Sequence, residues 1–198
     1  MAITMPANRQ TSRPPARADR TAPEQGGRTC IISCGIGPGD RQALLDLFAR
    51  SSPETRRDRF HHALSVFPQL YLDQILNGSQ LAVAARDTCH EESREKVVGL
   101  ASAAPMAHGT AEFAVWVEDT WQGRGVGSLL VREILRLLAE QRISTAIGIT
   151  EPGNLAIRRL INRIAPDTTT RIEDGMIVVS VPPANLAAGP VTGLQDLG

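Results

Sequence analysis

Ala111-Glu112-Phe113-Ala114-Val115-Trp116-Val117, then Gln122-Gly123-Arg124-Gly125-Val126-Gly127-Ser128, then the apolar run through Leu138, is the stretch on which the reading of this chain turns. Small, β-branched and aromatic residues over Ala111–Val117 predict a strand. Val131, Ile134, Leu135 and Leu138 fall on one side of a helix expected over Gly127–Gln141. Between them lies a glycine-rich turn whose first helical N–H groups have no intrahelical acceptor. Glycines there let a bulky ligand approach the backbone without Cβ atoms in the way. A phosphate at such a helix start gains those hydrogen bonds and about 0.3–1 kcal/mol from the helix dipole. The turn is therefore suited to a pyrophosphate, with a plain tight turn as the alternative. A P-loop would need a Gly-Lys-Ser/Thr ending, which is missing. A dinucleotide fingerprint needs a third glycine where Ser128 stands, and too little chain follows Glu151 for a dinucleotide domain.

Working outward, Arg28–Ser33 reads as a first strand, followed by the turn Gly37-Pro38-Gly39-Asp40 with Asp40 as an N-cap candidate. A helix with Ala43, Leu44, Leu47 and Phe48 on one face comes next. Pro53–Phe60 and Pro68–Leu76 predict two short helices, the second closed by Asn77-Gly78. Gln80–Ala85 and Lys96–Ala103 form a strand pair across a polar loop at Arg86–Glu95. Beyond the central stretch come a strand over Ser144–Ile149 and a helix over Asn154–Ile164, with Leu155, Ile157, Leu160, Ile161 and Ile164 toward the core. A last strand, Met176–Val181, follows the turn Glu173-Asp174-Gly175. The order implies an α/β fold around a mixed sheet. Residues 1–27, rich in Pro and Arg, read as a disordered tail. Residues 28–182 read as the folded domain and 183–198 as a loose C-terminal extension.

Composition narrows the function. Hydrophobic residues are 42% of the 198 but aromatics only 4%, so the core is built from aliphatic side chains. A net charge of +0 argues against a dedicated nucleic-acid or membrane-surface binder. Lys96 is the sole lysine, and the scattered arginines read as codon bias. No apolar run is long enough to span a bilayer, and the N-terminus carries no secretory pattern. Three cysteines make no disulfide framework; Cys30 and Cys34 sit four apart in a strand, and Cys89-His90 with His61-His62 fall short of a metal site. Free thiols in a reducing cytoplasm are the expectation.

The motif Gln122-Gly123-Arg124-Gly125-Val126-Gly127 resembles the Gln/Arg-x-x-Gly-x-Gly/Ala signature of the GCN5-related N-acetyltransferases, the GNAT family. Asn154 matches a second family position. Ser52-Pro53-Glu54 and Arg59-Phe60 extend the similarity more weakly. Ala111–Val115 with the following turn is similar to bacterial protein lysine acetyltransferases of the type often fused to a cyclic-nucleotide domain; the 27 residues ahead of the fold leave no room for such a domain. The resemblance implies a mixed, mostly antiparallel sheet flanked by helices, and acetyl-CoA as co-substrate without a metal. It implies that the amides over Gln122, Gly123, Arg124, Gly125, Val126, Gly127 and Ser128 hold the CoA pyrophosphate. Backbone groups of Val115 and Val117 would pair with the pantetheine arm, and Asn154 would bind it further along. The acceptor would be a primary amine, with protein lysine ahead of small amines, and the oligomeric state, a dimer included, is left open.

Acetyl transfer to nitrogen requires the neutral amine, and neutralising a lysine-like amine at pH 7 costs about 4.6 kcal/mol. A positioned base recovers part of this. Glu112 is the sole acid within the strand ahead of the turn and matches the family's base position in the lysine-modifying branch; apolar surroundings would raise its pKa. The alternative is a solvated strand-end charge. Where many family members place a tyrosine to protonate the leaving thiolate, this chain has Ile161, and Ile164-Ala165-Pro166 replaces a common Gly-Phe pair. These departures support a second reading, a CoA-binding module without turnover. Tyr71, the one tyrosine, is placed elsewhere. Arg124 is balanced between a phosphate and solvent, Arg158 and Arg159 read as a solvated face, and His61, His62, His90 and His108 read as surface residues, His108 bordering the Glu112 strand. Trp116 and Trp121 read as packing residues.

Overall fold

The computed structural model describes residues 20–21, 30–87 and 96–186. Its strands are β1 (Arg20–Thr21), β2 (Cys30–Cys34), β3 (Leu81–Asp87), β4 (Lys96–Pro105), β5 (Thr110–Val117), β6 (Thr145–Thr150), β7 (Thr169–Glu173) and β8 (Met176–Val181). The helices are α1 (Arg41–Arg50), α2 (Pro53–Phe60), α3 (Gln69–Leu76), α4 (Val126–Glu140) and α5 (Leu155–Ile164). The strands form one sheet in the order β1-β2-β3-β4-β5-β6-β8-β7. Every neighbouring pair is antiparallel except β5 and β6. This is the mixed, mostly antiparallel sheet with flanking helices that the sequence implied.

Alternation along β5 divides the core. Ala111 and Phe113 enter a cluster with Leu130, Ile134 and Leu138 of α4 and Ile161 of α5. Trp116 enters a second cluster on the opposite face, with Leu44, Leu47 and Phe48 of α1 and Leu72 of α3. The sheet thus carries α1–α3 on one side and α4–α5 on the other. Leu130, Val131, Ile134 and Leu135 are fully buried, each stabilising the fold by roughly 1.5–3 kcal/mol. The first turns of α4 come down on Gly99 of β4, where an added Cβ would lie 2.9 Å from Leu130 Cδ1.

Four local expectations differ from what is observed. Asp40 makes no capping bond from its side chain; its carboxylate instead accepts from Gly37 N at 2.9 Å and Arg86 Nη2 at 2.7 Å. Leu155 is 50% exposed instead of facing the core. It precedes Ile157 by two positions, and a helix turns roughly 200° over two residues, so Leu155 faces away from the Ile157–Leu160–Ile161–Ile164 stripe. Strand β7 was not anticipated because all five of its residues are exposed and leave no alternating pattern. Arg20–Thr21, inside the expected tail, pairs antiparallel with Ile31–Ile32 of β2. The rest of residues 1–29, the segment 88–95 with Cys89 and His90, and residues 187–198 lie outside the described residues.

Candidate active site

The site begins where two strands part. β5 and β6 pair in parallel only over Thr110–Glu112 and Thr145–Ile147. Past that point β6 continues along β8, and β5 continues along β4. The Phe113 ring lies against Gly148 at the fork, within 3.2 Å of where a Cβ would stand. The gap opens into a cavity of about 760 Å³, lined by β5 from Glu112 to Val117, Gly148–Thr150 of β6, the turn before α4, α5 and the end of α2.

Backbone parity decides what β5 offers to that gap. Glu118 N donates to Val98 O at 2.9 Å, so even-numbered residues of β5 direct their backbone groups toward β4, and odd-numbered ones toward β6. Val115 and Val117 therefore turn N–H and C=O into the gap, with no strand opposite them among the described residues. Val117 O is taken by Gln122 Nε2 at 3.1 Å, which fastens the turn to the end of the strand.

The turn itself needs its glycines. Gly123 and Gly125 have φ of +70° and +83°, the left-handed region where a Cβ is strained. Gly125 caps α4 without any side chain accepting from the first amides. The first backbone bond into the turn is Leu129 N to Gly125 O at 3.1 Å, so the N–H groups of Val126, Gly127 and Ser128 are left without intrahelical acceptors, and Gly127 and Ser128 line the cavity. Gly127 packs under Leu160 and Val117, where a Cβ would lie 3.4 and 3.8 Å from their methyl carbons. Arg124 also lines the cavity, its guanidinium 5.5 Å from the Trp121 ring centre. Trp116 and Trp121 are 2% and 4% exposed and serve packing, as their sequence context implied.

Below the turn, Asp119 accepts from Ser52 N at 2.8 Å, Ser52 Oγ at 2.7 Å and Thr55 Oγ1 at 2.8 Å. Thr55 Oγ1 in turn accepts from Gln122 Nε2 at 3.1 Å. Burial acts to raise the Asp119 carboxyl, but those hydrogen bonds outweigh it and hold the group below the ordinary carboxylate value. The start of α2 is thereby tied to the turn. Ser52-Pro53-Glu54 carries this through Ser52, the α2 N-cap, whose side chain also accepts from Thr55 N.

Glu112 lines the cavity from the face that carries α2. It is exposed, so the apolar enclosure expected around it is not there. Three neighbours at the end of α2 were not selected from sequence as site residues. Asp58 lines the cavity and accepts from Asn154 Nδ2 at 3.2 Å. Burial first, then the charges of Glu151 and Glu54, push its carboxyl above the ordinary carboxylate value, against the pull of Arg57 and His61. Arg59 lines the same wall. His61, read from sequence as a surface residue, also lines the cavity, with a buried Nδ1 that has no hydrogen-bond partner. Asn154 caps α5, accepting from Ile157 N at 3.2 Å while it holds Asp58. Ile161 is buried at the cavity wall and offers no acid group. Tyr71 lies outside the lining, its hydroxyl 2.9 Å from Ser102 Oγ, and His108 is likewise absent from it. Among the described residues no group of three or more His, Cys, Asp or Glu is placed to hold a metal, and no helix is long and apolar enough to cross a membrane.

Comparison with known proteins adds four findings. The model of the acetyltransferase (GNAT) family matches residues 41–164. An acetyltransferase of Pseudomonas aeruginosa is 26% identical over 141 residues, 67% of this chain and 76% of that protein. Among solved structures, the GNAT domain of S. lividans PAT superposes with a TM-score of 0.71 at 20% identity, covering 85% of this chain and 98% of that one. A cAMP-binding acyltransferase from Mycobacterium smegmatis gives 0.56 at 17% identity, covering 87% of this chain and 50% of that one. At these identities the two structures speak for the fold.

Proposed function

The chain belongs to the acetyltransferase (GNAT) family and is an N-acetyltransferase, and on that premise we propose that it moves acetyl from acetyl-CoA to a primary amine inside the forked cleft. The observation that carries this reading is the conjunction of unpaired β5 backbone and uncapped α4 amides on one cavity. The open amides of Val126, Gly127 and Ser128, with Gln122, Gly123, Arg124 and Gly125 forming the turn, fit the CoA pyrophosphate. Val115 and Val117 fit the pantetheine arm as a partial strand. Asn154 faces the same cavity, and its second amide hydrogen could reach the arm while the first holds Asp58. When bound, the thioester supplies the activated acetyl group, and the chain's task is to orient the amine and take its proton.

Glu112 is the proposed base. Its exposed carboxylate on the acceptor face suits proton uptake directly or through one water. Protein lysine is the favoured acceptor, on the similarity of Ala111–Val115 and its turn to the lysine-modifying branch; a small amine is the second. Ile161 and Ala165-Pro166 support the competing reading of a CoA-binding module without turnover. The odd count of three cysteines, two of them four apart in one strand, supports a cytoplasmic place, and the balanced charge supports neither nucleic acid nor a membrane surface as partner.

A thiol-release assay with acetyl-CoA against lysine peptides, polyamines and aminoglycosides tests the proposal. Release with at least one amine is expected. Glu112→Gln should lower turnover at neutral pH by about 10²–10⁴-fold while acetyl-CoA affinity holds. An unchanged rate removes Glu112 from the mechanism. Tight acetyl-CoA binding with no release on any amine favours the module without turnover.

A further inference from the structure

Arg59 is placed to do something that acetyl-CoA does not require. Its guanidinium lies 4.8 Å from the Phe60 ring centre and 4.7 Å from that of Tyr71, and Nη2 is 3.5 Å from Ser102 Oγ. It lines the cavity and has no carboxylate partner among the described residues. Asp58, its neighbour in sequence, is engaged with Asn154 instead. A half-buried guanidinium fixed by two rings, with its fork open to a cavity, is a ready donor to a planar or tetrahedral anion.

The face on which it lies indicates which anion. The Trp116 and Phe60 ring centres are 5.9 Å apart, so the even-numbered residues of β5, Glu112 among them, face α2. Ser102 stands opposite Ala114, and Ala104 opposite Glu112. Ser102 and Glu112 are thus diagonal neighbours on one face, about 7–8 Å apart. Arg59, resting on Ser102, shares its side of the sheet with the proposed base. The other arginines of the cavity, Arg124, Arg158, Arg159 and Arg163, come from the turn and from α5, on the side of the open α4 amides. The arginines of the site fall into two sets, and among them Arg59 alone belongs to the set beside Glu112, with His61 next to it at the end of α2.

We propose that Arg59 reads the acceptor: the amine this protein acetylates carries an anionic group, a carboxylate or phosphoryl, that can lie close to its nitrogen in space, bound by Arg59 while the amine faces Glu112. This rests on the acetyl-transfer reading above. The anion has two sources of the same chemistry, the acid of a free amino acid or an acidic side chain beside a lysine in a protein.

The test compares acid and neutral partners in both sources: β-alanine with β-alaninamide, and a peptide bearing Asp-Lys with one bearing Asn-Lys. Each is run with the native protein, Arg59→Gln and Arg59→Lys, with acetyl-CoA affinity measured by calorimetry as the control for intact folding. In at least one pair the native protein should prefer the acid form by roughly tenfold to a hundredfold, the loss expected for one hydrogen-bonded charge. Arg59→Gln should erase that preference by raising KM for the acid form, with kcat and acetyl-CoA affinity retained. Arg59→Lys, which keeps the charge but loses the fork, should restore part of it. The pair that responds identifies the source. A preference absent from the native protein, or unmoved by Arg59→Gln, overturns the proposal, as does a loss of acetyl-CoA affinity in that variant, which would place Arg59 on the cofactor. Calorimetry of the same amines separates the two readings. Acid-dependent binding lost in Arg59→Gln without thiol release faults acetyl transfer and keeps the anion site, whereas release indifferent to the acid faults the anion site alone.

Discussion

Gly125 holds a backbone at φ +83°, a conformation that costs a residue with a Cβ roughly 1–2 kcal/mol. It stands directly before the amides proposed to meet phosphate. Gly125→Glu would combine that strain with a carboxylate against the pyrophosphate. Calorimetry should find acetyl-CoA binding lost, with the melting temperature lowered only by the strain; retained affinity would show that the turn has another purpose. Glu112 and the turn glycines were legible because each is tied to a local pattern, an acid in an apolar strand and glycines between a strand and a helix. Arg59, Asp58 and His61 were not. The segment Pro53-Glu54-Thr55-Arg56-Arg57-Asp58-Arg59-Phe60 reads alone as a short helix, and its place in the site depends on how α2 lies over β5. For Glu112 the sequence left an apolar surrounding and a solvated strand-end charge both open, because alternation gives a side chain its face and not what covers that face.

At the scale of elements, two acids at the end of β5 hold the site's parts together. Asp119 ties α2 to the turn. Glu118, 5% exposed, accepts from Arg50 Nε of α1 at 2.8 Å and from Lys96 Nζ of β4 at 2.9 Å. Burial acts to raise the Glu118 carboxyl, but the hydrogen bonds and charges of Arg50 and Lys96 outweigh it and hold the group below its ordinary 4.5. A depressed folded-state pKa contributes stability that is present above the unfolded value and is lost as pH falls through the folded one. Glu118→Gln should therefore lower unfolding stability at pH 7 by about 1.5–3 kcal/mol. Urea titrations from pH 7 downward should show the two proteins converging below the ordinary carboxylate range; a constant offset would deny Glu118 this role. The sole lysine of the chain is part of this cluster, a use that composition alone did not suggest. The helices with a buried stripe, α1 and α4, were found from their periodicity, and β5 from its small, β-branched and aromatic residues. The exposed β7 was not, and Leu155 was assigned to the core because it is apolar although its angular position is wrong.

The molecule as a whole is a sheet made continuous by short ladders except at one fork, and the fork is the site. Strand and helix order was enough to place a glycine turn after one strand and before a helix, at the carboxyl end of a strand where ligands of α/β sheets gather. That β5 and β6 pair for three residues and then separate was not legible, since it depends on register and on the Phe113 ring against Gly148. A crystal structure of the protein with acetyl-CoA tests the central claim most directly. The account predicts pyrophosphate oxygens about 2.7–3.2 Å from the N–H groups of Val126, Gly127 and Ser128, and the arm paired with Val115 between the parted strands. Acetyl-CoA held elsewhere, or those three amides turned onto protein acceptors with the fork closed, would contradict it.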